Sequence, residues 1–418
     1  MNWANAAPEI RRLLLDGLRA ALDATGGRES VRRRLAGGEE FAPRFAFAVG
    51  KAAPAMMAGA FESLGSSIER ALVVTKHGHA GDVLDSGWSV DVIESSHPVP
   101  DASSLAAGRA LVDFVGAIPS DADALALISG GASALVEVLP EGFDASDLAR
   151  VNEYLLAAGH PIGVVNRVRK RISRIKGGRL AQRLAARRTL SLAISDVPGD
   201  DPKVIGSGLL IAHSSDDISI DGFDLPSWLT EMGDRGPPLS DAGATSRVRT
   251  EVVARPADAR AAAAATYRAA GMDVVEHRDL LEGDALDVGR RIGREVAGGN
   301  PGTRVWASET TVTLPPGPGR GGRCQSLALA AALEMRDCPG VWVLAAGTDG
   351  TDGPGIDAGA IVDAGTVSRG ITAGLDPERS LRTADAGTFL DTSGDLVYTG
   401  PTGTNVLDLV VALKLTPA

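Results

Sequence analysis

The sequence predicts an α/β protein of two domains, each a mostly parallel sheet covered by helices. Two observations carry that class. The chain has 418 residues, too many for one compact core. Short apolar runs also alternate with helix-patterned segments, the signature of strands connected through covering helices.

Composition narrows the function. Apolar residues make up 44% of the chain and the formal net charge is −11. A nucleic-acid binder needs a net basic footprint, so that class is set aside, whereas local basic clusters still allow a small anionic substrate. The two cysteines, Cys324 and Cys338, are too few for a disulfide framework. No apolar run reaches membrane-spanning length. The N-terminus reads as an amphipathic helix with Ile10, Leu13, Leu14, Leu18 and Leu22 on one face, not as a secretion signal. The expected setting is a reducing cytoplasm, without nucleic-acid or membrane partners.

In chain order, the candidate strands are 45–50, 71–75, 91–95, 124–129, 190–195, 272–276, 304–308, 311–314 and 341–347. "AAPAMMAGAFESL" and "QSLALAAALEM" read as helices, and "ARAAAAATYRAA" (259–270) as an alanine-rich one. The stretch 214–245, with Pro226, Pro237 and Pro238, is polar and turn-rich and reads as a linker, a lid or an irregular edge. In parallel sheets, ligands gather at the carboxyl ends of the strands. The junctions there decide where chemistry can occur.

Six junctions and one basic run stand out. In "AVGKAAPAMM", Lys51 follows a strand-ending glycine and opens a helix, a position that favours a bound anion; a surface lysine is the alternative. In "ALALISGGASALVE", Ser129, Gly130, Gly131 and Ser133 form a turn whose amides suit a phosphate or carboxylate. "NRVRKRISRIKGGRLA" (166–181) is a basic run interrupted by glycines, either a solvated face or a ligand approach that includes Lys176. In "AISDVPGDD", Asp196 follows a strand, the usual address of a catalytic or metal-binding carboxylate. Glu309 ends a strand before the basic loop "GPGRGGR", and Arg323 starts the following helix, where its donors suit a carboxylate or phosphate. "YTGPTGTNVLDLVVAL" reads as glycines and hydroxyls, including Thr402, Gly403 and Thr404, opening a last helix. "GTDGTDGPGIDAGA" (347–360) places five glycines and three aspartates after an apolar run, a costly loop unless backbone approaches a charged ligand. The histidines, such as His77 and His79, make no zinc pattern. This inventory fits phosphoryl transfer, which needs donors for phosphate and acids for a metal but no covalent nucleophile.

Together, "VGKAAPAM", "SSHPVPDASSLAAGRAL", "LISGGASAL", "VNRVRKRISRIKGGRLA", "LAISDVPGDD", "GGRCQSLAL", "GTDGTDGP" and "TGPTGTNVLDL" make the chain resemble the class II glycerate 2-kinases, whose C-terminal half is the MOFRL domain. The resemblance implies a kinase-type domain over 1–245, with part of 246–300 assignable to it, and a MOFRL-type domain over 300–418. It implies an active site in the cleft between domains and transfer of the ATP γ-phosphate to the 2-hydroxyl of D-glycerate with Mg²⁺. On that basis Lys51, Asp196 and Arg323 are the catalytic residues. Ser129, Gly130, Gly131, Ser133, Lys176, Glu309, Thr402, Gly403 and Thr404 bind substrate or phosphate, and Asp349 and Asp352 hold the metal. The protein is expected as a monomer or homodimer.

The sequence departs from the family pattern at Ala132, where a third glycine is usual, at Ser308 for Gly, and at Cys324 and Ser326 for Asn and Glu. Leu209 and Leu210 replace a Pro-Thr pair. These positions are expected to line the substrate pocket. They leave a four-carbon aldonate as an alternative substrate and a non-catalytic ligand-binding relative as an alternative class.

Overall fold

Residues 3–37, 41–81, 83–158, 160, 162–237 and 245–416 are described by a computed structural model. Pro238 and the rest of 238–244, within the turn-rich stretch, lie outside them. The chain divides into two compact units, Gly27–Ala254 and Met1–Gly26 with Arg255–Ala418. The division expected at 1–245 and 300–418 does not follow these units: the first helix groups with the C-terminal sheet, and the chain changes unit at 254–255.

In the unit Gly27–Ala254, the strands are β1 (Phe45–Val49), β2 (Arg70–Lys76), β3 (Val90–Ser95), β4 (Asp123–Ile128), β5 (Arg188–Ile194) and β6 (Val248–Ala254). Their order is β3-β2-β1-β4-β5-β6, and each pairing is parallel. The central strands read as unbroken apolar runs because both faces are covered; all six residues of β4 are buried. The helices Ala53–Leu64 and Ala102–Gly116 follow β1 and β3. Asp101 caps the second of these by accepting from the Ser103 amide, while Ser104 reaches back to the Asp101 amide. β1 to β3 run outward in one direction and β4 to β6 in the other. The order therefore reverses between β1 and β4, the topological switch point at which α/β sheets bind ligands.

The other unit departs from expectation. Its strands are β7 (Val274–Glu276), β8 (Leu281–Asp284), β9 (Gly302–Thr311), β10 (Val341–Gly347), β11 (Gly359–Asp363), β12 (Leu396–Val397) and β13 (Asp408–Lys414). The order is β12-β11-β10-β13-β9-β7, with β8 also beside β9. Only β7 and β8 pair in parallel with β9, and the other pairings are antiparallel, so this sheet is mixed rather than mostly parallel. The reason lies at "DLVVALK". It reads as part of a last helix but forms β13, a central strand between β10 and β9. A short, fully buried apolar run does not distinguish the two by periodicity. The N-terminal helix Trp3–Thr25 forms as predicted, with Leu14 and Leu18 buried. It lies against the helix Pro256–Ala269, where Tyr267 donates its hydroxyl to the Leu14 carbonyl at 3.2 Å. A Cβ on Gly17 would overlap that tyrosine ring, so glycine is required there for close approach.

Candidate active site

The switch point of the parallel sheet brings Lys51 to the Ser129–Gly131 turn. The Lys51 amide donates to the Gly130 carbonyl at 2.9 Å, and the Ser129 amide donates to the Val49 carbonyl at 3.0 Å. Ser129 is fully buried and its hydroxyl accepts from the Ala52 amide, so its side chain staples the two turns instead of facing a ligand. Gly50 has φ +137°, and a Cβ there would strike the Ser129 hydroxyl. The segment after Gly131 is a single turn, Ala132–Leu135, rather than a long helix. Gly130 is buried and Gly131 half-buried, and among the described residues neither amide donates to a protein acceptor. Ser133 shares a hydroxyl contact of 2.8 Å with Ser207, which sits at φ +60°. Asp196 lies two residues beyond the end of β5, half-buried.

The basic run turns inward. Lys176 is 1% exposed and its ammonium is bonded to Glu137, which also accepts from the Ser173 hydroxyl at 2.5 Å. Lys176 therefore props the "KGG" turn rather than reaching a ligand, a correction to its expected binding role. Arg179 is equally buried and donates to the carbonyls of Lys170, Ser173 and Lys176. Burial lowers its pKa to about 10. Gly177 and Gly178, both at positive φ, let the chain pass close to this cluster; a Cβ on Gly178 would lie 2.7 Å from the Ile211 carbonyl.

In the other unit, Arg323 starts the helix Arg323–Met335 as predicted. Its guanidinium is already engaged: Nε and Nη2 donate to Asp408, and Nη1 donates to Glu309 at 3.1 Å. Burial works against the charge, but Asp408 and Glu309 outweigh it and hold the group above its ordinary pKa. Arg323 and Glu309 are thus partners in one cluster.

The loop 347–357 folds back onto the same helix. Both oxygens of Asp352 accept from that helix's first turn, from the Cys324 amide at 3.0 Å and the Gln325 amide at 2.7 Å. Asp352 is an N-terminal cap, 3% exposed, and burial pushes its pKa up to about 7, with Asp408 adding to the rise and the two amides opposing it. The glycines are needed for close packing: a Cβ on Gly322 would overlap Asp352, and one on Gly353, at φ +72°, would lie 2.3 Å from the Gly321 carbonyl. Asp349 binds within its own loop, accepting from the Thr351 amide and hydroxyl. The hydroxyls of Thr402 and Thr404 also turn inward, donating to the Thr348 and Thr25 carbonyls. With a strand following them, Thr402, Gly403 and Thr404 make no helix-start cradle.

Comparison with known proteins decides the family. Residues 13–220 match a domain of unknown function, DUF4147, and residues 302–408 match the MOFRL family. An Agrobacterium vitis protein, provisionally named hydroxypyruvate reductase, is 38% identical over 85% of this chain and 96% of its own length. The D-glycerate 2-kinase of Thermotoga maritima is 35% identical over 88% of this chain and 89% of its own. A crystal structure of glycerate kinase from the same organism superposes with a TM-score of 0.81 at 32% identity, covering 98% of this chain and all of that one. The chain belongs to the glycerate kinase family.

Within this glycerate kinase relative, four of the departures from the pattern are packing positions. Ala132, Ser308, Cys324 and Ser326 are all 3% exposed or less. The Ala132 methyl is accommodated because residue 206 is glycine: a Cβ on Gly206 would lie 3.2 Å from it. Cys324 packs with Leu327 and Trp306 in the core, where burial pushes its thiol pKa well up. At these four positions the expectation that they line a substrate pocket is not met.

Asp352 does not fit the metal role expected of it, because both its oxygens already accept amide hydrogens. Among the described residues, no group of three or more His, Cys, Asp or Glu side chains is placed to hold a metal ion. Sequence reasoning missed Asp408, the partner of Arg323. A charge inside the apolar run "VLDLVV" was the available signal for it. No helix among the described residues is long and apolar enough to cross a membrane.

Proposed function

We propose that this chain transfers the γ-phosphoryl group of ATP to the 2-hydroxyl of D-glycerate, giving 2-phosphoglycerate and ADP. The observation that carries this reading is the collinear match to the Thermotoga maritima D-glycerate 2-kinase over nearly the whole of both chains. In such a transfer, the bond from the phosphorus to the β-phosphate oxygen breaks as the glycerate oxygen bonds to it. Charge spreads over the transferring oxygens, so catalysis is mainly positioning and charge stabilisation.

Lys51 brings positive charge to the switch point, beside the turn at Gly130 and Gly131. Asp196, at the end of β5, accepts the hydroxyl proton. Arg323 keeps Glu309 and Asp408 oriented, and Asp349 remains the candidate carboxylate of the 347–357 loop. Magnesium would neutralise the nucleotide phosphates; among the described residues no three carboxylates are grouped to hold it. The enzyme would work in the cytoplasm, where its nucleotide is.

The name of the Agrobacterium vitis relative offers a second reading, reduction of hydroxypyruvate. That chemistry needs a nicotinamide site, and the turns after β1, β4 and β5 contain no G-x-G-x-x-G sequence. One experiment separates the readings: ADP formation from ATP with D-glycerate and a panel of four-carbon aldonates, run beside NAD(P)H oxidation with hydroxypyruvate. ADP formation with D-glycerate and no NAD(P)H oxidation is expected. The reverse outcome defeats the kinase reading, and ADP formed only with an aldonate replaces the substrate.

A further inference from the structure

The turn after β4 faces a second side chain besides Lys51. Gly131 has φ +85°, and a Cβ built on it would lie 3.0 Å from His97 Cδ2, 3.1 Å from His97 Nε2 and 3.3 Å from Lys51 Cγ. The imidazole and the lysine stem therefore close over the same glycine. His97 reaches it from the loop after β3, three strands away in the sheet. That loop is pinned. The Ser95 hydroxyl donates to the Leu135 carbonyl at 2.8 Å, beside the β4 turn, and the Ser96 amide donates to the Ser103 hydroxyl at 3.0 Å. Ser96 also donates to Asp101, the cap of the next helix. The ring is thus carried on a braced platform and half-buried.

We propose that His97 is a substrate-contacting residue: its Nε2–H donates to the anionic oxygen that Lys51 charges beside Gly131. The chemistry recognised is an oxyanion, of a phosphoryl group or of a hydroxy-acid carboxylate. Which of the two arrives there rests on the kinase reading. Glycine at 131 is what makes room for both side chains, because any side chain there would displace the ring as well as strain the backbone.

The test uses His97→Ala, His97→Asn and His97→Gln in the full chain. The glutamine amide nitrogen reaches the Nε2 position, whereas the asparagine nitrogen reaches only Nδ1. The measurements are kcat, KM for D-glycerate and for ATP, calorimetric binding of each alone, and melting temperature as the control for folding. His97→Ala and His97→Asn are expected to lose roughly ten- to hundredfold in kcat/KM, the scale of one hydrogen bond to a charged group, with unchanged melting and partial recovery in His97→Gln. A loss of D-glycerate affinity identifies the oxyanion as the carboxylate, and a loss of ATP affinity or of kcat alone identifies it as the phosphoryl group. Unchanged kinetics and affinities in all three variants, or glutamine no better than alanine, overturns the assignment. Wild-type protein that forms no ADP from D-glycerate defeats the kinase reading instead. In that case ATP binding alone decides: weaker binding in His97→Ala supports the site, and equal binding overturns it.

Discussion

Asp408 grips Arg323 with both carboxylate oxygens, receiving Nε at 2.5 Å and Nη2 at 2.9 Å. This fork joins the first residue of the central strand β13 to the first residue of the helix Arg323–Met335. The strand enters through Leu407, held at φ +65°, a costly conformation for a branched side chain. Thr348 fixes it there: its hydroxyl donates to the Leu407 carbonyl at 2.6 Å and accepts from the Val406 amide at 2.8 Å.

Asp408→Ala leaves Arg323 with Glu309 alone. Breaking a buried ion pair costs about 3–5 kcal/mol, and the figure here is lower, about 2–3 kcal/mol, because solvent still reaches the arginine. Urea denaturation of wild type and variant measures it. A loss below about 1 kcal/mol, the scale of an exposed pair, would show that the fork is not structural.

Lys51→Ala is expected to fold like wild type and lose turnover by roughly a hundredfold, the scale of one transition-state charge partner. Steady-state kinetics with a circular dichroism control suffices. Near-normal kcat would remove Lys51 from the mechanism.

Lys176 and Glu137 form a buried pair, each side chain 3% exposed or less. Lys176→Met strands the Glu137 carboxylate and should destabilise the protein by about 3–5 kcal/mol, whereas adding Glu137→Gln should recover part of that loss. A double-mutant cycle by chemical denaturation gives the coupling. Additive losses would mean the two charges do not depend on each other.

Asp352 sets a pH dependence. Its folded pKa, about 7, lies above the ordinary carboxylate value. The folded state therefore binds the proton more tightly than the unfolded chain does. The contribution of this group to stability is full below the unfolded pKa of about 4 and is lost as pH rises towards 7. Asp352→Asn, which cannot ionise, should flatten the decline between pH 5 and 7. Melting temperatures of both proteins across that range test this. A variant that declines as steeply as wild type would refute the assignment to Asp352.

The sequence by itself determined the α/β class, the parallel core strands, the N-terminal helix and the strand-end positions of Lys51 and Asp196, whereas Glu309, read as ending a strand, lies within β9. Each of these is a local signal, either a continuous apolar run, a 3.6-residue period or a glycine at a strand end. The tertiary structure alone decided which polar groups face inward. Lys176, Ser129, Asp352 and Thr404 carry the residue types of a binding site, yet each spends its hydrogen bonds on the fold. A side chain that holds a ligand and one that caps a buried turn have the same chemistry, and the partner is chosen by contacts distant in sequence. The same holds for β13, whose apolar run became a strand only because β9 and β10 offered it ladders on both sides. His97 meets Lys51 over Gly131 only because strand order places the ends of β1 and β4 side by side and braces the loop after β3 against them.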